Sequence, residues 1–295
     1  MDAEARTSAL FHPDRRLRRR RFVNRLMEAL ATMAAFAAVA VLVIVVISVV
    51  KRAAPAIDLD FFTKTPGLFG ETGGGIANAI VGTIVIVGLA TLFALPLGVL
   101  IAIYVSEFAP PRVASAVRLT LDVINGLPTI VTGIFIFSLI VLAQGQSGFA
   151  GAIALAIIAL PLISRSTQEV LRLVPASVRE AGLALGAPRW RTVLGVILPT
   201  SMGGIMTGTT LAVARIAGET APLLFTTALA AHAVSWDPTG PLQAIPLTIF
   251  ELSESPDPTD HARAWAAGLV LLGFVLIMSL VAKALLARSR RKLTR

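Results

Sequence analysis

Six apolar stretches dominate this sequence, and most are long enough to cross a lipid bilayer as a helix. A helix rises about 1.5 Å per residue, so about 20 apolar residues are needed to cross roughly 30 Å of hydrocarbon. Backbone polar groups in lipid must be paired within the segment, and long apolar runs without two-residue alternation favour helices over a barrel. The sequence therefore predicts an all-α integral membrane protein with six transmembrane helices, at residues 29–50, 76–104, 119–142, 149–163, 193–217 and 264–286.

The overall composition agrees with a membrane protein. Hydrophobic residues make up 56% of the 295 residues, charged residues only 15%, and the mean hydropathy is +0.81. A soluble domain of this length has far more charged surface. A soluble enzyme or binding domain is therefore excluded, and we expect a multi-pass protein in contact with membrane lipid.

The positive charges are distributed unevenly between the two sides of these segments. If the N-terminus is cytoplasmic, 21 of the 26 Lys and Arg residues fall on the cytoplasmic side. Such an excess fixes the orientation of membrane proteins. The sequence therefore predicts that both termini are cytoplasmic, with a basic tail at residues 1–28, a membrane domain at 29–287 and a second basic tail at 288–295.

The arginine run at residues 15–21 has two further interpretations. A nucleic-acid partner is not expected, because the topology already accounts for the net charge of +9. A cleaved signal peptide would also start with basic residues, but the apolar stretch that follows is longer than the usual core of such a peptide. We therefore expect an uncleaved membrane anchor.

Several kinds of catalytic or metal chemistry are excluded by the residues that this chain lacks. It contains no cysteine, which rules out disulfides, thiolate catalysis and cysteine-bound metals. His12, His232 and His261 are far apart, without the spacing of metal ligands. No Gly-Lys-Ser or Gly-Lys-Thr occurs, so there is no ATP-binding P-loop. We expect no catalytic residues, metal or cofactor in this chain; a membrane-bound enzyme acting on phosphate esters is a remote alternative.

A short polar segment at residues 179–199 joins two of the apolar stretches and reads REAGLALGAPRWRTVLGVILP. It resembles the cytoplasmic coupling motif of type I ABC importer permeases, matching the motif's Glu-Ala, Gly and Leu-Pro at the expected spacing and departing from it at Gly182 and Val196. The resemblance implies a MetI-like permease fold with cytoplasmic coupling helices at about 164–192, driven by a separate ATPase. By the same resemblance, the residues that couple to the ATPase are Glu180, Ala181, Gly182, Gly186 and Pro199.

The residues of this segment also predict a short helix. Pro175 suits its first turn and Gly186 its C-terminal cap. Gly182 and Gly186 are four residues apart and so share a face, which would let another protein approach closely. An ordinary interfacial loop, with Trp190 and its neighbouring arginines as a membrane anchor, is the alternative.

Two charged residues lie near the outer end of the fifth apolar stretch. Arg215 and Glu219 are one helical turn apart. A charge within the membrane costs about 2.5 to 3.5 kcal/mol on insertion scales and usually faces a bundle interior or a water-filled pathway. The pair is therefore a candidate substrate site, although an Arg–Glu pair at this spacing could also serve only to neutralise both charges.

Breaks in the predicted helices add further candidate donors for an anion. Asn125 and Pro128 interrupt the third stretch, and Thr220 adjoins the charged pair. A helix that starts inside the membrane offers free N–H groups, and threonine hydroxyls can add donors. A kink that serves packing alone is the alternative. We expect the substrate pathway to include Arg215, Glu219, Thr220, Asn125, Pro128 and Thr129.

Three segments resemble the phosphate-specific permease families PstA and PstC: residues 214–223, residues 128–135 and residues 73–83. The third is more similar to PstA. The resemblance implies half of an ATP-driven, high-affinity phosphate importer in the bacterial plasma (inner) membrane, working by alternating access. Its implied partners are a homologous PstC-like permease subunit, a PstB-like cytoplasmic ATPase dimer that binds ATP and Mg, and a PstS-like external phosphate-binding protein.

The charged pair makes phosphate a reasonable substrate on chemical grounds. Arginine offers a planar fork of donors to a tetrahedral oxyanion. At neutral pH phosphate carries a proton that it can donate to a carboxylate, whereas sulfate carries none. Molybdate, sulfate or phosphonate carried by the same architecture remains the alternative.

The outer stretch at residues 218–263 is the longest connection in the middle of the chain, and it is rich in proline and acidic residues. Residues 245–252 are predicted to form a short apolar helix lying on the membrane. We expect this stretch to seat a solute-binding protein or to shape a gate, with a plain connector as the alternative.

Overall fold

The computed structural model describes residues 15–67, 74–228 and 233–293, and all regular elements within these ranges are helical. The described ranges contain eleven helical segments, some of them continued by a 3₁₀ or π-helical turn. They are α1 (Arg15–Ala53), α2 (Leu59–Thr63), α3 (Ala77–Phe108), α4 (Pro111–Gly126), α5 (Thr129–Gln144), α6 (Gly148–Arg172), α7 (Ala176–Ala184), α8 (Arg189–Ala217), α9 (Ala221–Thr226), α10 (Ile245–Ser253) and α11 (Pro258–Leu293).

Five of these helices are long and apolar enough to cross a membrane, namely α1, α3, α6, α8 and α11. A sixth span is formed if α4 and α5, which meet at a 95° bend, are counted together. The break lies at Leu127 and Pro128, because the proline lacks an N–H and disfavours helical backbone in the residue before it. The six predicted segments are therefore confirmed, and the third is a sharply broken one.

The end of the fourth span differs from the one expected. This span was predicted at residues 149–163, but α6 continues as one helix of 25 residues to Arg172. Residues 164–172, which the sequence assigns to the coupling region, are thus the polar end of a transmembrane helix. Charged side chains do not stop a helix once it leaves the hydrocarbon, so hydropathy alone placed this boundary too early.

The chain divides into two units, residues 1–51 and residues 52–295. Within the described part of the first unit, α1 is a single helix whose side chains are mostly exposed, as a lipid-facing span requires. Residues 15–28 of the expected N-terminal tail are the start of this helix, and residues 1–14 lie outside the described residues. The expected C-terminal tail is the end of α11 up to Leu293, and residues 294–295 are outside the described range.

The main core of the second unit lies where α3, α6 and α8 meet. Small residues on these helices let their backbones approach closely, which is the main source of helix association in lipid. Gly208 of α8 illustrates this, because a Cβ there would lie 2.4 Å from the Oγ of Ser166 on α6. The buried residues of this core include Ile86, Ala90, Ala94, Ala152, Leu155, Ala159, Ala212 and Ile216.

The segment at residues 233–244 is fastened to the helices by hydrogen bonds. The N–H of Gly148 donates to the carbonyl of Gly240 at 3.0 Å, and the N–H of Phe149 donates to the carbonyl of Pro238 at 2.8 Å. Both donors belong to the first turn of α6, whose N–H groups have no partner within the helix. The segment therefore caps α6.

A buried polar network holds the end of this segment. Asn78 and Gln243 are each 2% exposed, and the Asn78 Nδ2 donates to the Gln243 Oε1 at 2.7 Å. The Gln243 Nε2 donates to Glu251 of α10 at 2.7 Å. Buried amides cost free energy unless they are paired. These bonds therefore fix the segment between α3 and α10.

The predicted apolar helix near residues 245–252 is present as α10, but its expected position on the membrane surface is wrong. Ile245, Pro246, Leu247 and Thr248 are buried, and α10 packs on α11 and α3. The apolar face that hydropathy detected is covered by the protein's own helices.

A pair of glycines on α3 tests how tightly this segment is packed. A Cβ at Gly82 would lie 1.9 Å from the carbonyl oxygen of Gln243, whereas a Cβ at Gly88 would meet nothing within 4 Å. We expect Gly82→Ala to lower the free energy of unfolding by about 1 to 3 kcal/mol through overpacking. Gly88→Ala, on the same helix, should raise it by about 1 kcal/mol or leave it unchanged. Thermal unfolding of the purified protein in detergent measures both; equal midpoints would show that the segment yields to the methyl group.

Candidate functional site

The coupling segment forms a short helix bounded as the sequence predicts. α7 begins at Ala176, directly after Pro175, and ends with Gly186 in the left-handed conformation at φ +72°. The N–H of Ala187 donates to the carbonyl of Gly182 at 3.1 Å, and the N–H of Gly186 donates to that of Leu183 at 2.9 Å. These two bonds define a Schellman cap, which glycine forms without strain. The predicted Gly186 cap is confirmed.

The two glycines of this helix do not form the shared open face that their spacing predicted. A Cβ at Gly182 would lie 2.6 Å from the side chain of Thr192, so this glycine serves close packing of α7 against the start of α8. A Cβ at Gly186 would meet nothing within 4 Å. Glycine is required there because the backbone is in the left-handed conformation. The expectation of a glycine surface for a partner is therefore wrong.

The exposed surface of α7 is formed by other residues. Glu180 and Ala181 are exposed, and two leucines at its end, Leu183 and Leu185, are 52% and 88% exposed. Exposed apolar side chains beside a charge, outside the spans, are typical of a protein interface. This surface could have been found from the sequence. The segment is too polar to enter lipid, so its leucines must be buried by another protein surface if they are buried at all.

An ion pair that sequence reasoning missed anchors this helix. The guanidinium of Arg179 donates from Nε to both carboxylate oxygens of Glu107 at 3.2 Å, and from Nη2 to Oε1 at 2.8 Å. Glu107 lies in the π-helical turn at the end of α3 and its side chain is 9% exposed. The hydrogen bonds to Glu107 raise the pKa of Arg179 above its already high ordinary value. The pair joins residues 72 apart in sequence, and spacing alone could not reveal it.

Arg179 also holds the turn that connects α6 to α7. Its Nη1 donates to the carbonyl of Val174 at 2.7 Å, and its Nη2 donates to the carbonyl of Leu171 at 2.9 Å. The last carbonyls of a helix have no partner within it. One side chain thus links the end of α3, the end of α6 and α7, and we call this group the Glu107–Arg179 clamp.

Two residues after α7 have structural roles in α8. Pro199 follows a π-helical turn at Val193–Ile197, where the wider spacing of hydrogen bonds suits a residue without an N–H. Trp190 is exposed, and the guanidinium carbon of Arg191 lies 5.4 Å from the centre of its ring. This arrangement fits the interfacial anchor that was the alternative interpretation of these residues.

Arg215 and Glu219 lie together at the far end of α8. The distance from the Arg215 Nε to the Glu219 Oε1 is 3.8 Å, which is an ion pair but longer than a hydrogen bond. The Arg215 side chain is 56% exposed and that of Glu219 is 18% exposed. Among the described residues, Arg215 has no other ion pair or hydrogen bond, so its donors are available to a further partner.

The two segments proposed to line the substrate pathway are in contact. α5, which starts at Thr129 after the break at Pro128, packs against α9, whose N-terminal cap is Thr220. A Cβ at Gly133 would lie 2.7 Å from the Cα of Pro222, so the helices touch through a glycine and a proline. Asn125 and Pro128 are exposed at the bend. The fold thus brings the broken third span next to the segment that follows the Arg215–Glu219 pair.

The described residues contain no group of three or more His, Cys, Asp or Glu that could hold a metal ion. Two of the three histidines, His12 and His232, lie outside the described residues.

Comparison with known proteins identifies the class of protein. The family described as binding-protein-dependent transport system inner membrane component matches residues 94–291. This chain therefore belongs to that family of importer membrane subunits. A solved structure with the same fold is the bacterial alginate ABC transporter, at a TM-score of 0.62 and 16% identity over 90% of this chain and 96% of that one. The MetNI methionine ABC transporter matches with a TM-score of 0.55 and 16% identity over 73% and 94% of the two chains.

Closer relatives define the branch of that family. The phosphate transport system permease protein PstA of Xylella fastidiosa is 40% identical over 277 residues, which is 92% of this chain and 96% of the relative. PstA of Yersinia pestis is 37% identical over 273 residues, 92% of each chain. A probable PstA of Methanocaldococcus jannaschii is 39% identical over 226 residues, 76% of this chain and 80% of the relative. Within the larger family, the chain belongs to the PstA permeases.

Proposed function

We propose that this chain is the permease subunit of an ATP-driven importer of inorganic phosphate in the bacterial plasma membrane, and that it forms half of the translocation pathway. The observation that carries the proposal is its 40% identity, over 92% of its length, to a protein named as a phosphate transport system permease. The exposed arginine at the end of α8 supplies the matching chemistry.

The proposal includes the partners that a half-pathway needs. A PstC-like permease subunit supplies the other half, and a PstS-like protein delivers phosphate from outside. A PstB-like ATPase dimer, which binds ATP and Mg, contacts α7. Its docking surface on this chain is Glu180, Ala181 and the exposed Leu183 and Leu185, while Gly182 and Gly186 shape the helix that presents them.

Alternating access requires that movement at α7 reaches the spans. The Glu107–Arg179 clamp ties α7 to the end of α3, and α3 packs along α6. Closure of the ATPase dimer would therefore move α7 and tilt α3 and α6 with it, as packed helices shift as rigid bodies. At the end of the moving helices that is far from α7, α5, which follows the bend after α4, contacts α9.

The Arg215–Glu219 pair supplies the substrate chemistry in this proposal. The guanidinium binds two oxyanion oxygens, and the carboxylate accepts a hydrogen bond from the P–OH group that phosphate carries at neutral pH. Thr220, next to Glu219, and Thr129, at the start of α5, offer hydroxyls, and Asn125 and Pro128 are exposed at the bend before Thr129. A fully deprotonated anion would be repelled by Glu219, which favours phosphate over sulfate.

The role of Glu219 is tested by Glu219→Gln. We expect the preference for phosphate over sulfate to fall by about tenfold, because a neutral amide no longer repels sulfate and accepts a weaker hydrogen bond from the P–OH group of phosphate. Uptake of labelled phosphate with increasing external sulfate measures this preference. Glu254→Gln, at the exposed end of α10, is the matched control and should leave it unchanged. An unchanged preference in Glu219→Gln would remove the carboxylate from the selectivity argument.

The function itself is tested by uptake of labelled phosphate at low external concentration in cells that lack this chain. Complementation should restore ATP-dependent uptake that excess sulfate and molybdate do not block. If uptake is unchanged by the deletion once other phosphate carriers are removed, the substrate is another oxyanion.

A further inference from the structure

A polar cavity of about 250 Å³ lies between α4 and α6, at the end of α6 that leads into α7. Neither Arg215 nor Glu219 lines it. This end of α6 packs beside the middle of α8, because a Cβ at Gly208 would meet the side chain of Ser166. Arg215 is seven residues beyond Gly208, which corresponds to about 10 Å along α8. The polar residues that line the cavity are Arg118, Asp122, Arg165, Gln168, Glu169 and Arg172.

The helical spacing of these residues explains how the cavity forms. Arg118 and Asp122 are four apart on α4 and share one face. The residues from α6, at positions 165, 168, 169 and 172, follow the three-and-four spacing of a single helix face. Two polar faces thus meet between helices whose other faces are apolar.

The internal contacts leave part of this charge unused. Arg165 is paired with Asp122, which neutralises both. The Arg118 Nε donates to the Oε1 of Gln168 at 3.3 Å, and Gln168, only 4% exposed, is held in turn by Ser164 at 3.3 Å. This buried amide orients the arginine, as a supporting hydrogen bond does in a built site.

Two further charges in the cavity are without partners in the described structure. Arg172 and Glu169 form no ion pair or hydrogen bond with any described residue. With Arg118, they leave two guanidinium groups and one carboxylate facing the open space, a net charge of +1 for the cavity. This combination repeats the donor and acceptor chemistry of the Arg215–Glu219 pair, with one more arginine.

We propose that this cavity is a second oxyanion site, which takes inorganic phosphate at the coupling-helix end of the chain. The proposal rests on the proposed function. Arg118 and Arg172 bind the phosphate oxygens, and Glu169 accepts a hydrogen bond from the P–OH group of phosphate. Because Arg172 lies four residues before α7, movement of the coupling helix changes the distance between the two arginines and so can release the anion.

Binding of labelled phosphate to the purified complex tests this proposal. The complex is reconstituted in nanodiscs without nucleotide or external binding protein, and it carries Arg215→Gln so that the outer pair does not contribute. We expect Arg118→Gln together with Arg172→Gln to weaken phosphate binding by about tenfold, since each removes a charge-assisted hydrogen bond. Arg112→Gln, an exposed arginine on α4 outside the cavity, is the matched control. Glu169→Gln should let sulfate compete with phosphate.

The outcomes separate this proposal from the function on which it rests. Failure of the wild-type complex to import phosphate would overturn the proposed function before any variant is made. Import by the wild type, with equal phosphate binding in the double variant and the Arg112→Gln control, would overturn the second site alone. If the double variant binds phosphate normally but loses its ATPase during purification, the cavity is a seat for an acidic group of that partner, and the proposal is wrong.

Discussion

We expect Glu107→Gln to lower phosphate uptake at least tenfold while the complex continues to hydrolyse ATP. The side chain of Glu107 is 9% exposed and accepts three hydrogen bonds from Arg179. Removing one member of a largely buried ion pair leaves the other charge uncompensated, and such truncations are far more costly than the loss of an exposed pair. The physical result is an α7 that is no longer fixed to the end of α3.

The expected defect is uncoupling, because the clamp lies behind the docking surface and not on it. Glu180, Leu183 and Leu185 remain exposed in the variant and can still contact the ATPase. Movement of α7 would then be absorbed by the turn at Leu171 and Val174, whose carbonyls Arg179 holds in the native chain. Uptake of labelled phosphate and ATP hydrolysis by the purified complex, measured on the same preparation, distinguish uncoupling from loss of assembly.

Asp60→Asn is the matched control for this experiment. Asp60 pairs with Lys64 at 2.6 Å, but both side chains are more than half exposed, and such pairs contribute little. Its uptake should equal that of the wild type. The exchanged pair Glu107→Arg with Arg179→Glu should recover part of the lost uptake. If Glu107→Gln transports as well as Asp60→Asn, the clamp does not transmit movement.

The apolar spans and the coupling helix could be predicted because both depend on local sequence. A run of about 20 apolar residues is sufficient evidence for a span, and Pro175 and Gly186 mark the ends of α7 by backbone chemistry alone. The end of α6 was predicted nine residues too early, since residues 164–172 are mostly polar but remain helical.

The features that were missed depend on contacts between distant parts of the chain. Glu107 and Arg179 are 72 residues apart, and the contact of Gly182 with Thr192 depends on the angle at which α7 meets α8. The spacing of Gly182 and Gly186 predicted a shared helix face, but α7 ends before Gly186, which is in the left-handed conformation. Spacing also does not say which side of a helix is covered. The cavity between α4 and α6 was missed for the same reason, although the helical spacing of its arginines and acids is visible in the sequence.

The second large effect is expected for Arg215→Ala, which should lower phosphate uptake by about a hundredfold without loss of the ATPase from the purified complex. Arg215 lies at the far end of α8 from α7, and its guanidinium has no hydrogen bond within the described chain. Losing two charge-assisted hydrogen bonds to the anion, each contributing about 1.5 to 3 kcal/mol, accounts for an effect of this size. Loss of this side chain should cost little stability, because it is 56% exposed and its ion pair is long.

A second substitution at Arg215, and substitutions at two other positions, test whether the effect depends on the Arg215 guanidinium. Arg215→Lys keeps the charge but not the planar fork and should be intermediate. Arg263→Ala, which removes an arginine paired with Asp260 at 3.6 Å at the start of α11, is the control and should transport normally. Gly186→Val, by contrast, forces a β-branched residue into a left-handed conformation and should release the ATPase by disrupting the end of α7.

The division of roles along α8 follows from these contrasts. A residue near α7 should affect assembly and coupling, whereas Arg215, about 39 Å along the helix from Arg189, should affect only the handling of the anion. Co-purification of the ATPase and uptake of labelled phosphate are therefore measured together for each variant. Equal loss of ATPase in Arg215→Ala and Gly186→Val would show that Arg215 maintains the fold, and its proposed contact with phosphate would then lose its support.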